Sequence, residues 1–306
     1  MITVIGHKSP DTDATCSPIV FSWYLNKTGR ESKPFISGEF NKETKFVLEH
    51  FNVLTPEIKS TFEDGEEIII LDTNNPEELL PNIENAKILE IVDHHKLAGL
   101  KTDSPVKVTM KPVGCTATLV FQIIKKEGLT LEPDMAGLLL SAILSDTLKF
   151  TSPTTTSEDQ SAAEELAEVS KKNMEELAKA MFEAKSDLSG MSAKDVLLMD
   201  SKVFEMSGKK VRVSSLETTK PENAKSMKED IISTMNSLKS EESLDGMFFF
   251  IVDIINSNAE VLTESDTEKS ILEKAFDIKY EDFALLPGVV SRKKQIVPNL
   301  EKAYSV

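Results

Sequence analysis

The chain has 306 residues, 40% of them hydrophobic and 28% charged, which is enough apolar material for two ordinary domains and gives no ground for wholesale disorder. A formal net charge of −16 and a pI near 4.8 exclude the electrostatic attraction on which non-specific nucleic-acid binding depends, so no nucleic-acid partner is expected. No apolar run is long enough to cross a bilayer, and Met1 leads straight into Ile2-Thr3-Val4-Ile5 without a basic leader, so a cytoplasmic protein with no membrane partner is expected.

In chain order, Ile2 to Ile5, Ile68 to Leu71 and Ile88 to Val92 read as buried strands. They alternate with amphipathic stretches, the α/β pattern of a mainly parallel sheet flanked by helices. Ser17-Pro18 suits an N-cap and a first helical position, which predicts a helix starting between Ala14 and Pro18 and ending at Asn26 or Lys27. Further helices are predicted over Cys115 to Glu127 and Pro133 to Leu144, with two more inside Ser157 to Ala184, broken near Lys172-Asn173. The polar interval from Lys185 to Ala193 reads as a linker. This gives a first domain over 1–186, a hinge over 187–193 and a smaller mixed α/β domain over 194–306. In the second domain, strands are expected at Lys210 to Ser215 and Met247 to Ile255, and helices at about 221 to 238 and 267 to 275. Cys16 and Cys115 are expected to be small buried residues rather than a disulfide.

Chemistry-bearing residues gather where the predicted strands end. Gly6-His7-Lys8-Ser9-Pro10-Asp11-Thr12-Asp13 follows the first strand, Asp72-Thr73-Asn74-Asn75 the second, and Asp93-His94-His95-Lys96 the third. In open α/β sheets ligands bind at the carboxyl ends of strands. A single Asp in such a place is more often a turn or capping residue, but three strand ends presenting Asp or His can meet along one sheet edge. Asp146, in Ser145-Asp146-Thr147, adds a fourth carboxylate at the end of an apolar helix pattern. Oxygen-rich ligation with one or two imidazoles and no thiolate suits Mn²⁺ or Co²⁺ and disfavours structural zinc. One shared carboxylate would let the site hold two cations, which together lower the pKa of a bridging water. The substrate would then be an anion whose remaining oxygens need cationic side chains. Ser291-Arg292-Lys293-Lys294-Gln295 is the natural source, its alternative being a solvated basic turn. His50, the one histidine of four outside these clusters, reads as a surface residue.

In this order the clusters resemble the family II inorganic pyrophosphatases, part of the phosphoesterase superfamily named for its Asp-His-His motif. Gly6-His7-Lys8-Ser9-Pro10-Asp11-Thr12-Asp13-Ala14 is similar to the family's Gly-His-x-Asn-Pro-Asp-Thr-Asp-Ser, and Asp93-His94-His95-Lys96 looks like the superfamily signature. Gly114-Cys115-Thr116-Ala117-Thr118 resembles the helix start that follows, Ser145-Asp146-Thr147 with Ser152-Pro153-Thr154-Thr155-Thr156 the next block, and Ser291 to Gln295 the C-terminal signature. The resemblance implies that His7 and Asp11 bind one metal, that Asp13, His94 and Asp146 bind the other, and that Asp72 bridges them. It implies that His95, Lys202, Arg292 and Lys293 contact pyrophosphate and, with Asp72, form the catalytic set. The implied reaction is hydrolysis of pyrophosphate to two phosphates by a hydroxide activated on two Mn²⁺ per subunit, with Co²⁺ as a substitute and Mg²⁺ accompanying the substrate. An active site between the two domains and a homodimer through the N-terminal domain are also implied. Ser9, Ala14, Thr73 and Asn75 depart from the family pattern beside ligands rather than at them. Two alternatives stand: an exopolyphosphatase or other phosphohydrolase of the superfamily, and a non-catalytic metal- or phosphate-binding regulator on the same fold.

Overall fold

A computed structural model describes residues 1–305. The chain forms two compact units, Met1–Ala184 and a second that begins at Lys185. The first contains β1 (Ile2–Ile5), α1 (Thr12–Lys27), β2 (Ser32–Ile36), α2 (Lys42–His50), β3 (Glu57–Ile58), β4 (Glu67–Leu71), β5 (Lys87–Asp93) and β6 (Lys107–Met110). After these come α3 (Thr116–Lys126), α4 (Pro133–Asp146), α5 (Ser157–Ser170) and α6 (Met174–Lys185). All six strands are parallel, in the order β3-β2-β1-β4-β5-β6. Ile68, Ile69, Ile70 and Leu71 are wholly buried, as a strand covered on both faces requires. On one face Ile5, Ile68, Ile70, Ile88 and Ile91 pack with Phe62, Leu79 and Leu80, while α1 packs on β1 and β4 and against α3 and α4. A bulge in β5 between the partners of Ile68 and Ile69 brings Ile91, rather than Glu90, level with Ile70.

The start of α1 departs from the sequence expectation. The helix begins at Thr12, with Asp11 as N-cap accepting from Ala14 N at 2.9 Å, so Pro18 lies inside it. Pro18 has no N–H to give the Ala14 carbonyl, and the close approach of the chain at Gly6 occurs there. A Cβ on residue 6 would lie 2.3 Å from Ala14 O, which is why this strand end is glycine. Strands β2, β3 and β6, which the sequence did not announce, extend the sheet on both sides.

The second unit holds α7 (Ala193–Leu198), β7 (Ser201–Met206), β8 (Lys209–Thr218), α8 (Pro221–Lys225), α9 (Lys228–Glu242), β9 (Gly246–Asp253), β10 (Asn258–Leu262), α10 (Asp266–Phe276), β11 (Ala284–Pro287) and α11 (Val297–Tyr304). Its sheet runs β11-β10-β9-β8-β7 and is mixed, parallel between β8 and β9 and antiparallel elsewhere. Phe249 and Ile251 of β9 pack with Leu216, Leu262, Ile231, Met235 and Leu238. The helix expected over about 221 to 238 is two helices. Met227 leaves helical geometry, and the Ser226 hydroxyl turns back to donate to Asn223 O at 2.8 Å, so a side chain competes with the helical ladder. Cys16 and Cys115 are buried and not disulfide-bonded, as expected. Among the described residues no helix is long and apolar enough to cross a membrane.

Candidate metal centre and anion-binding residues

In the strand order of the first unit, sequence direction reverses between β1 and β4, and a crevice opens at the carboxyl end of such a pair. His7 follows β1 and Asp72 follows β4. His7 Nε2 stands 3.6 Å from Asp11 Oδ2 and 3.5 Å from Asp72 Oδ2. The other oxygen of Asp72, Oδ1, lies 3.5 Å from His94 Nε2 and 3.8 Å from His95 Nδ1, and accepts from Thr116 Oγ1 at 3.0 Å. One buried carboxylate therefore faces a different imidazole with each oxygen. Asp72 holds this position with a backbone φ of 63°, a left-handed conformation that is uncommon for a non-glycine residue and is met most often where function fixes a side chain.

Donor atoms come together in three groups, each within 4.8 Å: His7, Asp11 and Asp72; Asp72, His94 and His95; Asp13, Cys115 and Asp146. All six residues expected to bind metal fall in these groups, joined by His95 and Cys115, but His94 groups with Asp72 and His95 rather than with Asp13 and Asp146 as expected. Asp13 is wholly buried. Its Oδ2 accepts from Thr116 N at 2.6 Å and Cys115 Sγ at 3.0 Å, and its Oδ1 from Ser17 Oγ at 2.5 Å and Ala117 N at 3.1 Å. This carboxylate caps the amino end of α3, and Asp11 caps α1, so the plain capping role and the role at the cluster fall to the same residues.

Electrostatics test whether cations suit this place. Burial, then repulsion from neighbouring carboxylates, pushes the carboxyls of Asp13 and Asp146 well above the ordinary range. Burial opposes charge on His7, but Asp11 and Asp72 beside it outweigh that and raise its pKa well above the usual value. So many buried carboxylates with imidazoles between them are relieved by divalent cations, and the oxygen-rich donor set fits Mn²⁺.

The histidines are oriented from behind. His94 Nδ1 lies 3.0 Å from Val113 O, a contact made as donor in the tautomer that leaves the Nε2 lone pair towards Asp72. His95 Nδ1 lies 2.9 Å from Asp93 Oδ1. Burial would raise the Asp93 carboxyl, but bonds from His95 and Asn74 hold it down to about 2, so it stays ionised. Asn74 donates to Asp93 Oδ2 and to Lys96 O and accepts from Ala98 N, pinning the loop that carries both histidines. Asp159 does the same for the start of α3, accepting from Gly114 N at 2.8 Å, Thr118 Oγ1 at 2.6 Å and Thr156 N at 2.8 Å. Thr73 Oγ1 donates to Glu78 Oε2 and accepts from Asn75 N, so two of the departures from the family pattern belong to a local turn. His50 is exposed at the end of α2, packed edge-on to Phe51, as a surface residue should be.

Of the expected anion contacts, His95 lies in the first unit beside Asp72, and the other three lie in the second. Lys202 is exposed on β7, and Arg292 and Lys293 open a π-helical turn over Arg292–Ile296, a form frequent at functional sites. Gln295 Oε1 accepts from both Val290 N and Ser291 N at 2.9 Å, and its Nε2 donates to Gly288 O at 2.7 Å. The outer residues of the Ser-Arg-Lys-Lys-Gln run thus build the turn that displays the cations. Arg292 Nη2 bonds Asp200 Oδ1 at 2.6 Å.

The chain resembles known proteins along nearly its whole length. Residues 1–143 match the model of the DHH family N-terminal domain, and residues 179–303 match that of the DHHA2 domain. The chain is 38% identical to a protein of Oceanobacillus iheyensis named "Probable manganese-dependent inorganic pyrophosphatase", over 98% of each chain. It is 39% identical to the "Manganese-dependent inorganic pyrophosphatase" of Methanocaldococcus jannaschii, over 99% of each. A structure described as "Crystal structure of Methanococcus jannaschii putative family II inorganic pyrophosphatase", 39% identical, superposes over the full length of both chains with a TM-score of 0.86. An exopolyphosphatase-related protein from Bacteroides fragilis, 15% identical with a TM-score of 0.52, shares the fold alone. With two full-length relatives above 30% identity and a matching architecture in both units, the chain belongs to the family II, manganese-dependent inorganic pyrophosphatases.

Proposed function

We propose that this protein hydrolyses inorganic pyrophosphate to two phosphates at a two-cation site formed by His7, Asp11, Asp13, Asp72, His94 and Asp146, with Asp72 shared between the cations. The observation that carries the reading is Asp72 itself, one carboxylate with a separate imidazole 3.5 Å from each oxygen, supported by the names of the full-length relatives. Two Mn²⁺ ions held there, or Co²⁺ in their place, would supply Lewis acidity to phosphate oxygens and a water of lowered pKa. The chain's own residues do the rest. His95, anchored through Nδ1 to the ionised Asp93, offers Nε2 to a phosphate oxygen. Lys202, Arg292 and Lys293 hold the oxygens of the phosphoryl group that leaves, and pyrophosphate arrives with Mg²⁺. Asp72→Ala is expected to lose bound Mn²⁺ and all activity, whereas Lys293→Ala keeps its metal and loses turnover. Metal analysis beside phosphate release from pyrophosphate and from longer polyphosphates checks both. Full activity in either variant refutes the assignment, and preference for long chains makes the enzyme an exopolyphosphatase.

A further inference from the structure

We propose that Asp200 is a positioning residue for Arg292, setting the plane of its guanidinium for an anion; this rests on the reading that Arg292 contacts pyrophosphate. The backbone at residue 292 is already fixed, because the Gln295 side chain and the Ser291 Oγ···Lys294 N contact at 3.3 Å close the turn around it. That leaves the side chain, four rotatable bonds long, whose fork must face one way to bind phosphate oxygens in parallel. Asp200 Oδ1 takes Nη2 at 2.6 Å. Asp200 is itself tied down: it directly precedes β7, and its carbonyl accepts from Ser215 N of β8 at 2.8 Å.

Two details separate this pair from an ordinary surface ion pair. Arg292 is only 15% exposed although Asp200 is 51% exposed, so the guanidinium is the sheltered partner. Its Nη1 is buried with no hydrogen-bond partner among the described residues. A buried guanidinium N–H without an acceptor is costly, and a phosphate oxygen is the acceptor that fits it. A carboxylate beside a phosphate-binding cation also works against the local positive charge. Its use there is geometric: it occupies one arm of the fork and leaves the other for the ligand. Asp200 stands two residues from Lys202, so one short segment sets two of the three expected cations, one directly and one through its carboxylate.

The test uses the Mn²⁺-loaded full-length enzyme with Asp200→Ala, Asp200→Asn, Arg292→Ala and the Asp200→Ala/Arg292→Ala double variant. Readouts are kcat and KM for pyrophosphate, calorimetric binding of the non-hydrolysable imidodiphosphate, Mn²⁺ content and melting temperature. Asp200→Ala is expected to lower kcat/KM and weaken imidodiphosphate at least tenfold, with Mn²⁺ content and melting temperature unchanged. Asp200→Asn, which keeps a carbonyl acceptor in place, recovers part of the loss. In the Arg292→Ala background the Asp200 change adds nothing, because its effect runs through that arginine. Impaired Arg292→Ala with parental Asp200→Ala overturns the positioning role alone. Parental Arg292→Ala overturns the underlying reading of the anion site. Tighter imidodiphosphate binding by Asp200→Ala would make Asp200 a brake and overturn the proposal.

Discussion

Replacing Gly6 with alanine probes the joint between β1 and the residues at the head of the site. The added Cβ would meet the Ala14 carbonyl oxygen at 2.3 Å and the Ala14 Cα at 3.0 Å. Carbon-to-oxygen contacts in proteins close in to about 3.3 Å, so relief requires a displacement of about 1 Å. Nothing flexible is available to absorb it. The opposing atoms are backbone, Ile5 and Ala14 are wholly buried, and α1 is buried over most of its length. Forcing one extra carbon into a core of this density costs about 1–3 kcal/mol, and a purely backbone clash belongs at the upper end. At about 2–4 °C per kcal/mol for a unit of this size, the melting temperature should fall by about 6–12 °C. The same displacement moves His7 against Asp11 and Asp13, and misplacements of about 1 Å cost up to about 100-fold in rate. Calorimetry of the metal-free protein, a Mn²⁺ titration followed by electron paramagnetic resonance, and phosphate release would each read the change. The expected Mn²⁺ affinity is at least tenfold weaker. A Gly6→Ala protein with the parental melting temperature and Mn²⁺ titration would refute the claim that strand end and helix start are locked together.

Metal removal, metal uptake and the second unit give three further tests. Chelating the cations should lower the melting temperature, because Mn²⁺ at about 100 times its dissociation constant adds about 2.7 kcal/mol, or about 5–10 °C here. Since Asp13 and Asp146 carry raised pKa values without cations, Mn²⁺ uptake should release protons, which titration calorimetry in buffers of different ionisation enthalpy detects. Glu268, 1% exposed, accepts from Met247 N at 2.9 Å, Thr263 Oγ1 at 2.7 Å and Ser265 N at 3.0 Å. Burial penalises its charge, yet these bonds and Lys239 hold its pKa below the ordinary 4.5. Its stabilisation is therefore complete above pH 4.5 and is lost as pH falls through the folded-state value. Glu268→Gln should destabilise the protein at pH 7 by about 1.5–3 kcal/mol through loss of the bonds to a charged acceptor, with the gap to the parent narrowing as pH falls below 4.5 in denaturant titrations. A pH-independent gap would show that charge at this position is not what matters.

The strand ends are legible in the sequence because a buried parallel strand is a run of β-branched residues, and its end is where polarity returns abruptly. That signal alone is enough to locate His7, Asp72 and the histidine pair. The edges of the sheet carry weaker signals: β3 has two exposed residues, β6 begins with two, and β2 carries Pro34 in its middle. Pro18 misleads for a different reason. Proline favours a first helical turn, and here a carbonyl turned towards Gly6 lets it sit deeper. The supporting residues cannot be read at all. Asp13 meets Thr116 N across 103 positions, Asn74 meets Asp93 across 19, and nothing local in Asp200 announces Arg292. Only tertiary structure creates those pairs, so a linear pattern shows the donors of the site and not what holds them.

The span of the site along the chain also has a consequence for how the protein is made. Its proposed donors run from His7 after the first strand to Asp146 at the end of α4, most of the first unit. During synthesis, at about 5–20 residues per second, a nascent chain displays His7 and Asp11 several seconds before Asp146 exists. No cation can be fully enclosed in that interval. Any closing of the sheet before that point rests on hydrophobic pairing alone, against the repulsion of its buried carboxylates. Under the proposed assignment, complete capture of the cations therefore falls late in synthesis, once α4 has been made.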